Sequence, residues 1–546
     1  MTTNDAAADS PPRPDDAPRT TWPQRIALLA FGALLLVVLE LLLHAFGFGG
    51  HRPLLIPLEP DARADAPAAP TLHRINPAVV DAFFQRGADG IKGDMRVERV
   101  LVPKPADRLR VVFLGESSVQ GFPQPRNLTA AAFLARLLEE TVAVGSDGDK
   151  PQIEVINLGV TGVASFPIRQ IGARAIAELE PDLVLLYAAH NEFFGAAGQA
   201  SRQAMGGRVD AMRLTYALRG LAITQALEPL AAALRGGDDP AASPPSTEAS
   251  ADAADAEDAS NAEPPAAARA RQLIQVMAAR DVPLNSPLRA AARRALTRNL
   301  GDVVGFAQRR DVPVVLATVA SNVRDLVPVT SSTVDLTSAD VDALVARLPD
   351  WRARAAAALD LAELRSWAAR APSHAEVHYH LARALRIAND RATANVHFRR
   401  ARDLDLSPWR APAALNDGLR ALARDRGVPL ADVDAAFADA LPNEGGAPGW
   451  DLFDDHVHPS LRGQIVLAQT LFDAVAAHGL LPLDAEAAAA ARARPWQMLA
   501  QQQAARPLDR YRIVRMMATL FRGPPFGLVN GAARTFLERQ AARGRA

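Results

Sequence analysis

A chain of 546 residues, 49% hydrophobic and 22% charged, is long enough for two or three domains and apolar enough to bury a large core. Its formal net charge of -1 argues against a nucleic-acid partner, which would need a basic face. No cysteine is present, which excludes disulfides, thiolate catalysis and cysteine-ligated metals.

Residues 1–22 are polar and rich in Pro, Asp and Ala, the composition of a disordered tail. Residues 23–47 hold an apolar run from Ile26 to Phe46, broken by only two ionisable side chains, Glu40 and His44. Its length matches the ~20 residues that cross a bilayer core. A cleaved signal peptide is the competing reading. Its apolar region would be shorter and would end in a small-x-small site, and "GFGGHRPLL" offers no convincing one. Arg13, Arg19 and Arg25 precede the run and Arg52 alone follows it, so the positive-inside rule leaves the tail in the cytoplasm and the rest outside. Glu40 and His44 stand one helical turn apart, either as an intramembrane pair or as side chains reaching the outer interface.

Residues 48–107 read as a Pro-rich, irregular lead-in. From 108 to 335, strand and helix signals alternate. "LRVVFLG" (109–115), "IEVINLG" (153–159), "DLVLLYAA" (182–189) and "VPVVLATV" (312–319) are short, apolar and β-branched, as strands buried on both faces of a parallel sheet are. Helix-like segments between them predict an α/β layered fold. Residues 236–267 lack bulky apolar side chains and read as a disordered insertion.

Residues 336–408 are helical. "AEVHYHLARALRIANDRATANVHFRRARDLDLSP" (375–408) spans one 34-residue period and resembles a tetratricopeptide repeat, with Leu381, Ala382, Ala394, Phe398, Ala401 and Pro408 at or near packing positions. An ordinary helical hairpin is the alternative. Residues 409–480 restore the α/β pattern with strand-like "VPLADVDAAF" (428–437), and 481–546 read as amphipathic helices on the outside of the domain.

Four loops follow the strand signals. Gly115-Glu116-Ser117-Ser118 puts a serine at a strand end and helix start, where α/β folds place active sites and where helix N-terminal amides can stabilise an oxyanion. A serine there is also an ordinary helix cap. Asn157-Leu158-Gly159-Val160-Thr161-Gly162 brings glycine, which lets backbone N–H groups approach a ligand, although a plain turn reads the same way. "YAAHNEF" (187–193) ends a buried strand in His190, Asn191 and Glu192, where a side-chain amide can serve an oxyanion or merely cap a turn. "DLFDDHVHPSLRGQ" (451–464) sets Asp455 three residues before His458, close enough for the carboxylate to fix the imidazole tautomer. His456 and His458 also admit a metal, but no further carboxylate ligand is apparent.

In this order the four segments resemble the blocks of the SGNH (GDSL-like) hydrolase superfamily. The resemblance implies a three-layer flavodoxin-like parallel sheet with Ser117 as nucleophile, His458 as general base and Asp455 as its orienting acid. It also implies an oxyanion hole of the Ser117 N–H, Gly162 and Asn191, with neither metal nor cofactor. Two blocks depart from the family: Gly-Glu-Ser stands for the usual Gly-Asp-Ser, and Ala-His-Asn-Glu for the common Gly-x-Asn-Asp. "NEF" together with the helical insertion resembles a membrane-anchored bacterial subgroup. That implies a single span in the inner membrane, a periplasmic catalytic domain and an acyl-ester substrate. The repeat-like helices could hold a protein partner. Asn322, Arg324 and Asp325, after the fourth strand, are candidates for substrate contact or for a structural ion pair. An O-acyltransferase of surface glycans would use the same machinery, and a decayed, non-catalytic scaffold is the remaining alternative.

Overall fold

A computed structural model describes residues 21–58, 70–84, 93–145, 148–200, 209–227 and 281–544. The expected disordered segments, 1–20 of the tail and 236–267, lie outside the described residues. The chain divides into two compact units, residues 1–51 with 216–243, and residues 52–215 with 244–546.

In the first unit, α1 (Trp22–Ala45) is a helix long and apolar enough to cross a membrane, with mean hydropathy 2.9 over an 18-residue stretch and none of its residues buried. Pro23 lies in its first turn, where a missing N–H costs nothing. The helix stops at Phe46, and Gly47 follows at φ 74°, the left-handed conformation that glycine adopts without strain.

The second unit opens with strands β1 (Leu55–Pro57), β2 (Thr71–Ile75) and β3 (Arg99–Val102), which form a small antiparallel sheet in that order. The lead-in is therefore not irregular throughout. Strands of three to five residues are too short for alternation to stand out among prolines.

The main sheet contains β4 (Arg108–Gly115), β5 (Gln152–Gly159), β6 (Leu183–Tyr187), β7 (Val314–Ala317) and β8 (Leu430–Ala431). All pairs are parallel and the order is β5-β4-β6-β7-β8. β8 has two residues and gives way at once to a helix at Val433–Asp439, which corrects the strand expectation for 428–437. Asp432 causes the switch: its carboxylate accepts the N–H of Ala435 and caps the helix. The order doubles back at β4, so the crevice between the loops leaving β4, β5 and β6 is the switch point where open sheets bind ligands.

One-turn α2 (Ser117–Gln120), α3 (Ala130–Thr141), α4 (Ser165–Glu178), α5 (Val209–Gly220) and α6 (Pro287–Gln308) follow the strands in turn. Helices α7 (Ser338–Ala353), α8 (Leu361–Arg370), α9 (Ala375–Ile387) and α10 (Arg391–Leu404) form the insertion around a cluster that includes Trp351, Leu364, Trp367, Val377, Leu381 and Phe398. Helices α11 (Ala413–Arg426), α12 (Val433–Asp439) and α13 (Leu461–Ala477) return to the sheet. Helices α4, α6 and α11 pack together against it, and α3 and α13 form a second packed pair. Every residue of β6 is buried, and each such Val or Leu contributes about 1.5–3 kcal/mol. The chain ends with α14 (Ala485–Arg492), α15 (Trp496–Gln502), α16 (Pro507–Leu520), α17 (Phe526–Val529) and α18 (Gly531–Arg543).

Candidate active site

β4 runs straight into the serine. Val111 to Leu114 are fully buried, and the strand ends at Gly115, where a Cβ would collide with the Tyr187 carbonyl and Val119. Only glycine lets the chain turn here. The Glu116 carbonyl accepts the N–H groups of Val119 and Gln120, both at 3.0 Å, and opens α2. Gly121, at φ 92°, ends the helix one turn later. Gly159 and Asn157 on β5 make room for this turn: a Cβ at 159 would strike the Gln120 amide, and the Asn157 amide donates to the Val119 carbonyl at 2.7 Å.

The resulting position of Ser117 meets the loop 451–460. Ser117 Oγ lies 2.7 Å from His458 Nε2, and His458 Nδ1 lies 2.6 Å from Asp455 Oδ2. The other carboxylate oxygen of Asp455 accepts the N–H groups of Val457 at 2.9 Å and His458 at 2.8 Å. Burial opposes charge on Asp455, yet His458 and His456 beside it hold the carboxyl well below its usual range. It is therefore an anion that can orient an imidazole and stabilise its protonated form. The Phe122 ring stands edge-on to His458 with centroids 4.8 Å apart.

The loop is held rigidly. Ser460 caps α13, and Gly463 is required where a Cβ would hit the Leu452 carbonyl. The Ser118 hydroxyl donates to the Val457 carbonyl at 3.1 Å, tying the serine turn directly to the histidine loop. Gln124 donates to Asp454 at 2.6 Å, and Arg510 of α16 pairs with the same carboxylate. The C-terminal helices thus reach the site. Phe526 packs on His456, with ring centroids 4.4 Å apart.

Gly162 and Asn191 stand on the two neighbouring loops. Gly162, at φ 70°, accepts the Ala196 N–H through its carbonyl at 2.8 Å, and the Asn191 carbonyl accepts the Gly195 N–H at 2.8 Å. The two loops are therefore stitched together by residues 195 and 196. Among the described residues, the N–H groups of Ser117 and Gly162 donate to no protein acceptor, and the Asn191 side chain has no hydrogen-bond partner.

Glu116 was not singled out by sequence. Its carboxylate turns away from its own helix and accepts the N–H groups of His190 at 3.0 Å and Asn191 at 3.1 Å. It is the strut between the serine turn and the asparagine turn. Burial, with Glu192 nearby, pushes it up to about 8. Glu192 accepts the N–H of Ser165 at the start of α4 at 2.6 Å, and burial pushes it up to about 7. His190 accepts the Ala411 N–H through Nδ1, and burial lowers it to about 3, which keeps it neutral.

Asn322 and Arg324 are buried. Asn322 donates to the Asp455 carbonyl at 3.2 Å and its N–H donates to the His456 carbonyl at 3.0 Å. Arg324 is paired with Asp325, Glu444 and Asp451. These residues brace the Asp455 loop, with their polar atoms already engaged. Among the described residues, no group of three His, Asp or Glu is placed to hold a metal.

No family model matches the sequence, and no curated protein matches it. Among solved structures, an acetyl xylan esterase aligns with 67% of this chain and 100% of its own at 12% identity and a TM-score of 0.28. A gut microbial diltiazem-metabolizing enzyme aligns with 68% of this chain and 48% of its own at 10% identity and a TM-score of 0.27. Likeness of this size assigns no activity to the chain.

Proposed function

We propose that the chain is a membrane-anchored serine ester hydrolase of the SGNH type. One observation carries the reading: the continuous hydrogen-bonded line Ser117 Oγ, His458 Nε2, His458 Nδ1, Asp455 Oδ2, with links of 2.7 and 2.6 Å. The 2-1-3-4-5 order of the parallel strands supports the flavodoxin-like architecture that such enzymes share, with α9 and α10 as a tetratricopeptide-like pair in the insertion.

In the reaction His458 Nε2 takes the Ser117 proton as Oγ attacks the ester carbonyl. Asp455 stabilises the imidazolium without taking the proton. The N–H groups of Ser117 and Gly162 and the amide of Asn191 stabilise the tetrahedral oxyanion. The C–O bond to the alcohol then breaks, and His458 returns the proton to the leaving oxygen. Water, deprotonated by the same imidazole, attacks the acyl-serine and releases the acid.

Glu116 accounts for the departure from Gly-Asp-Ser. One more methylene lets the carboxyl reach the amides of residues 190 and 191 and so set the distance between Ser117 and Asn191. Held neutral at about 8, it adds no negative charge beside the developing oxyanion.

The flanking arginines support, by the positive-inside rule, a reading with this domain outside the cytoplasm, facing the periplasm from the inner membrane, and the Arg-bearing tail inside. Retention of the anchor, rather than cleavage, is favoured because Glu40 accepts the N–H groups of Ala222 at 2.7 Å and Ile223 at 3.0 Å. Removal of the span would leave those amides without that acceptor.

The test is hydrolysis of p-nitrophenyl acetate by the purified full chain, with Ser117→Ala beside it. Turnover by the wild type and its loss in the variant is the expected result; an inactive wild type contradicts the reading.

A further inference from the structure

We propose that the outer end of α1 and residues 216–227 together form a lipid-contact foot, which sits in the acyl–headgroup boundary of the same bilayer. This rests on the reading of α1 as a membrane anchor.

The two segments are built against each other. Besides the two bonds from Ala222 and Ile223 to Glu40, the Gly50 N–H donates to the Gly220 carbonyl at 2.9 Å. The Gln225 amide donates to the Gly50 and Arg219 carbonyls, both at 2.9 Å. The His51 and Tyr216 rings stack with centroids 3.9 Å apart and planes 12° from parallel. Gly49, at φ 95°, is held so close to Ala222 that a Cβ would fall 2.5 Å from the alanine Cβ. Gly49 and Gly50 of "FGFGGH" serve this contact.

Depth follows from the register. At 1.5 Å per residue, Glu40 lies about 7.5 Å before the end of α1 at Ala45. The chain at 222 and 223 therefore runs beside the last turns of the span, at the level of Leu41 and Leu42, both more than half exposed. Backbone amides at that level have no water to bond, and a carboxylate there has no solvent. Each supplies what the other lacks, and His44 Nδ1 stands 3.3 Å from the same carboxylate.

Large apolar side chains of both segments are partly or largely exposed. Phe46 is 86% exposed, Phe48 45%, Leu218 45%, Leu221 38% and Leu227 53%. All lie within a few residues of the contacts that join the two segments. An apolar face of this kind lies about 5–10 Å into the boundary region and gains from the burial of each methylene there. Half-buried Arg219 leaves no exposed basic cluster among the described residues 216–227, so the contact is with acyl chains rather than with anionic headgroups.

The test uses the full-length protein in phosphatidylcholine/phosphatidylglycerol vesicles. The natural absence of cysteine allows single dye-labelled sites at L221C, L35C in mid-span and V396C on the exposed surface of the insertion. Nitroxides at carbon 5 and carbon 12 of the lipid chains read the depth. The expected result is strong quenching of 221 by the shallow nitroxide, of 35 by the deep one, and none of 396. A high-salt wash leaves 221 unchanged. E40A lowers quenching at 221 while 35 stays quenched, and nitrophenyl ester turnover reports that the variant is folded. If 35 is quenched and 221 behaves like 396, the foot is refuted and the anchor stands. A blue-shifted but unquenched dye at 221 shows a protein cover and also refutes it. If 35 is not quenched, the anchor reading falls, and the foot with it.

Discussion

Among the described residues, a histidine is buried against a carboxylate in two places, with opposite results. In the loop 451–460, His458 bonds Asp455 through Nδ1 and turns Nε2 to Ser117 at 2.7 Å. On α9, His380 bonds Glu376 through Nε2 at 3.2 Å, but its Nδ1 faces the Arg383 guanidinium at 3.0 Å. Glu376 is further held by Arg352 through two bonds of 2.6 Å. Every polar atom of the helical pair is consumed by another protein group. In the loop, one nitrogen is spent on the carboxylate and the other is aimed at a hydroxyl. Chemistry here depends on what the second nitrogen faces, and a loop at a strand end can aim it where a helix surface packs it away.

Substitutions can break this contrast in order of effect. Ser117→Ala or His458→Ala should lower ester turnover by roughly 10⁴-fold or more, read in initial rates, because the triad acts as a unit. Asp455→Asn should cost about 10⁴-fold with the fold retained, since the imidazole loses its tautomer. Asn191→Ala should lower kcat by roughly 10²–10³-fold with little change in KM, as loss of one oxyanion donor does. Glu376→Gln, by contrast, should leave kcat/KM of the folded enzyme unchanged and lower stability by about 1–3 kcal/mol in urea melts, since Arg352 and His380 lose their charged partner. Equal losses of activity from Asp455→Asn and Glu376→Gln would abolish the distinction.

The smallest effect sharpens the role of Glu116. Its folded value near 8 stands above the ordinary glutamate value of 4.5. The protonated form is thus favoured on folding, so this group stabilises the protein below about pH 4.5 and the contribution is lost as pH rises through 8. Glu116→Gln keeps a neutral side chain at every pH. Thermal midpoints measured from pH 5 to 9 should fall less steeply for the variant than for the wild type. Parallel curves would show that Glu116 does not titrate on folding.

How much of this was legible in the chain depended on distance along it. Ser117 after a run of β-branched residues, and Asp455 three residues before His458, are local patterns that stand out by eye. The strut from Glu116 to residues 190 and 191 and the bond from Ser118 to Val457 were not visible. Each joins loops that only the sheet brings together, and a serine or glutamate beside Ser117 carries no local mark of a partner 74 or 339 residues away. The same holds for Phe526 against His456. The small sheet of 55–102 escaped, and the two-residue β8 was read as a longer strand over 428–437, because strands that short have no readable period. Asn322, Arg324 and Asp325 read equally as substrate contacts or as a structural ion pair because sequence gives polarity but not the partner, and Arg324 pairs with Asp325.

We propose that Ser117, not its neighbour, is the nucleophile. A fluorophosphonate applied to the full chain, followed by peptide mass spectrometry, tests it most directly. The expected result is one adduct on Ser117, retained in Ser118→Ala and absent from Ser117→Ala and from denatured protein. An adduct on Ser118 or on another residue, or no adduct on active folded enzyme, would contradict the account.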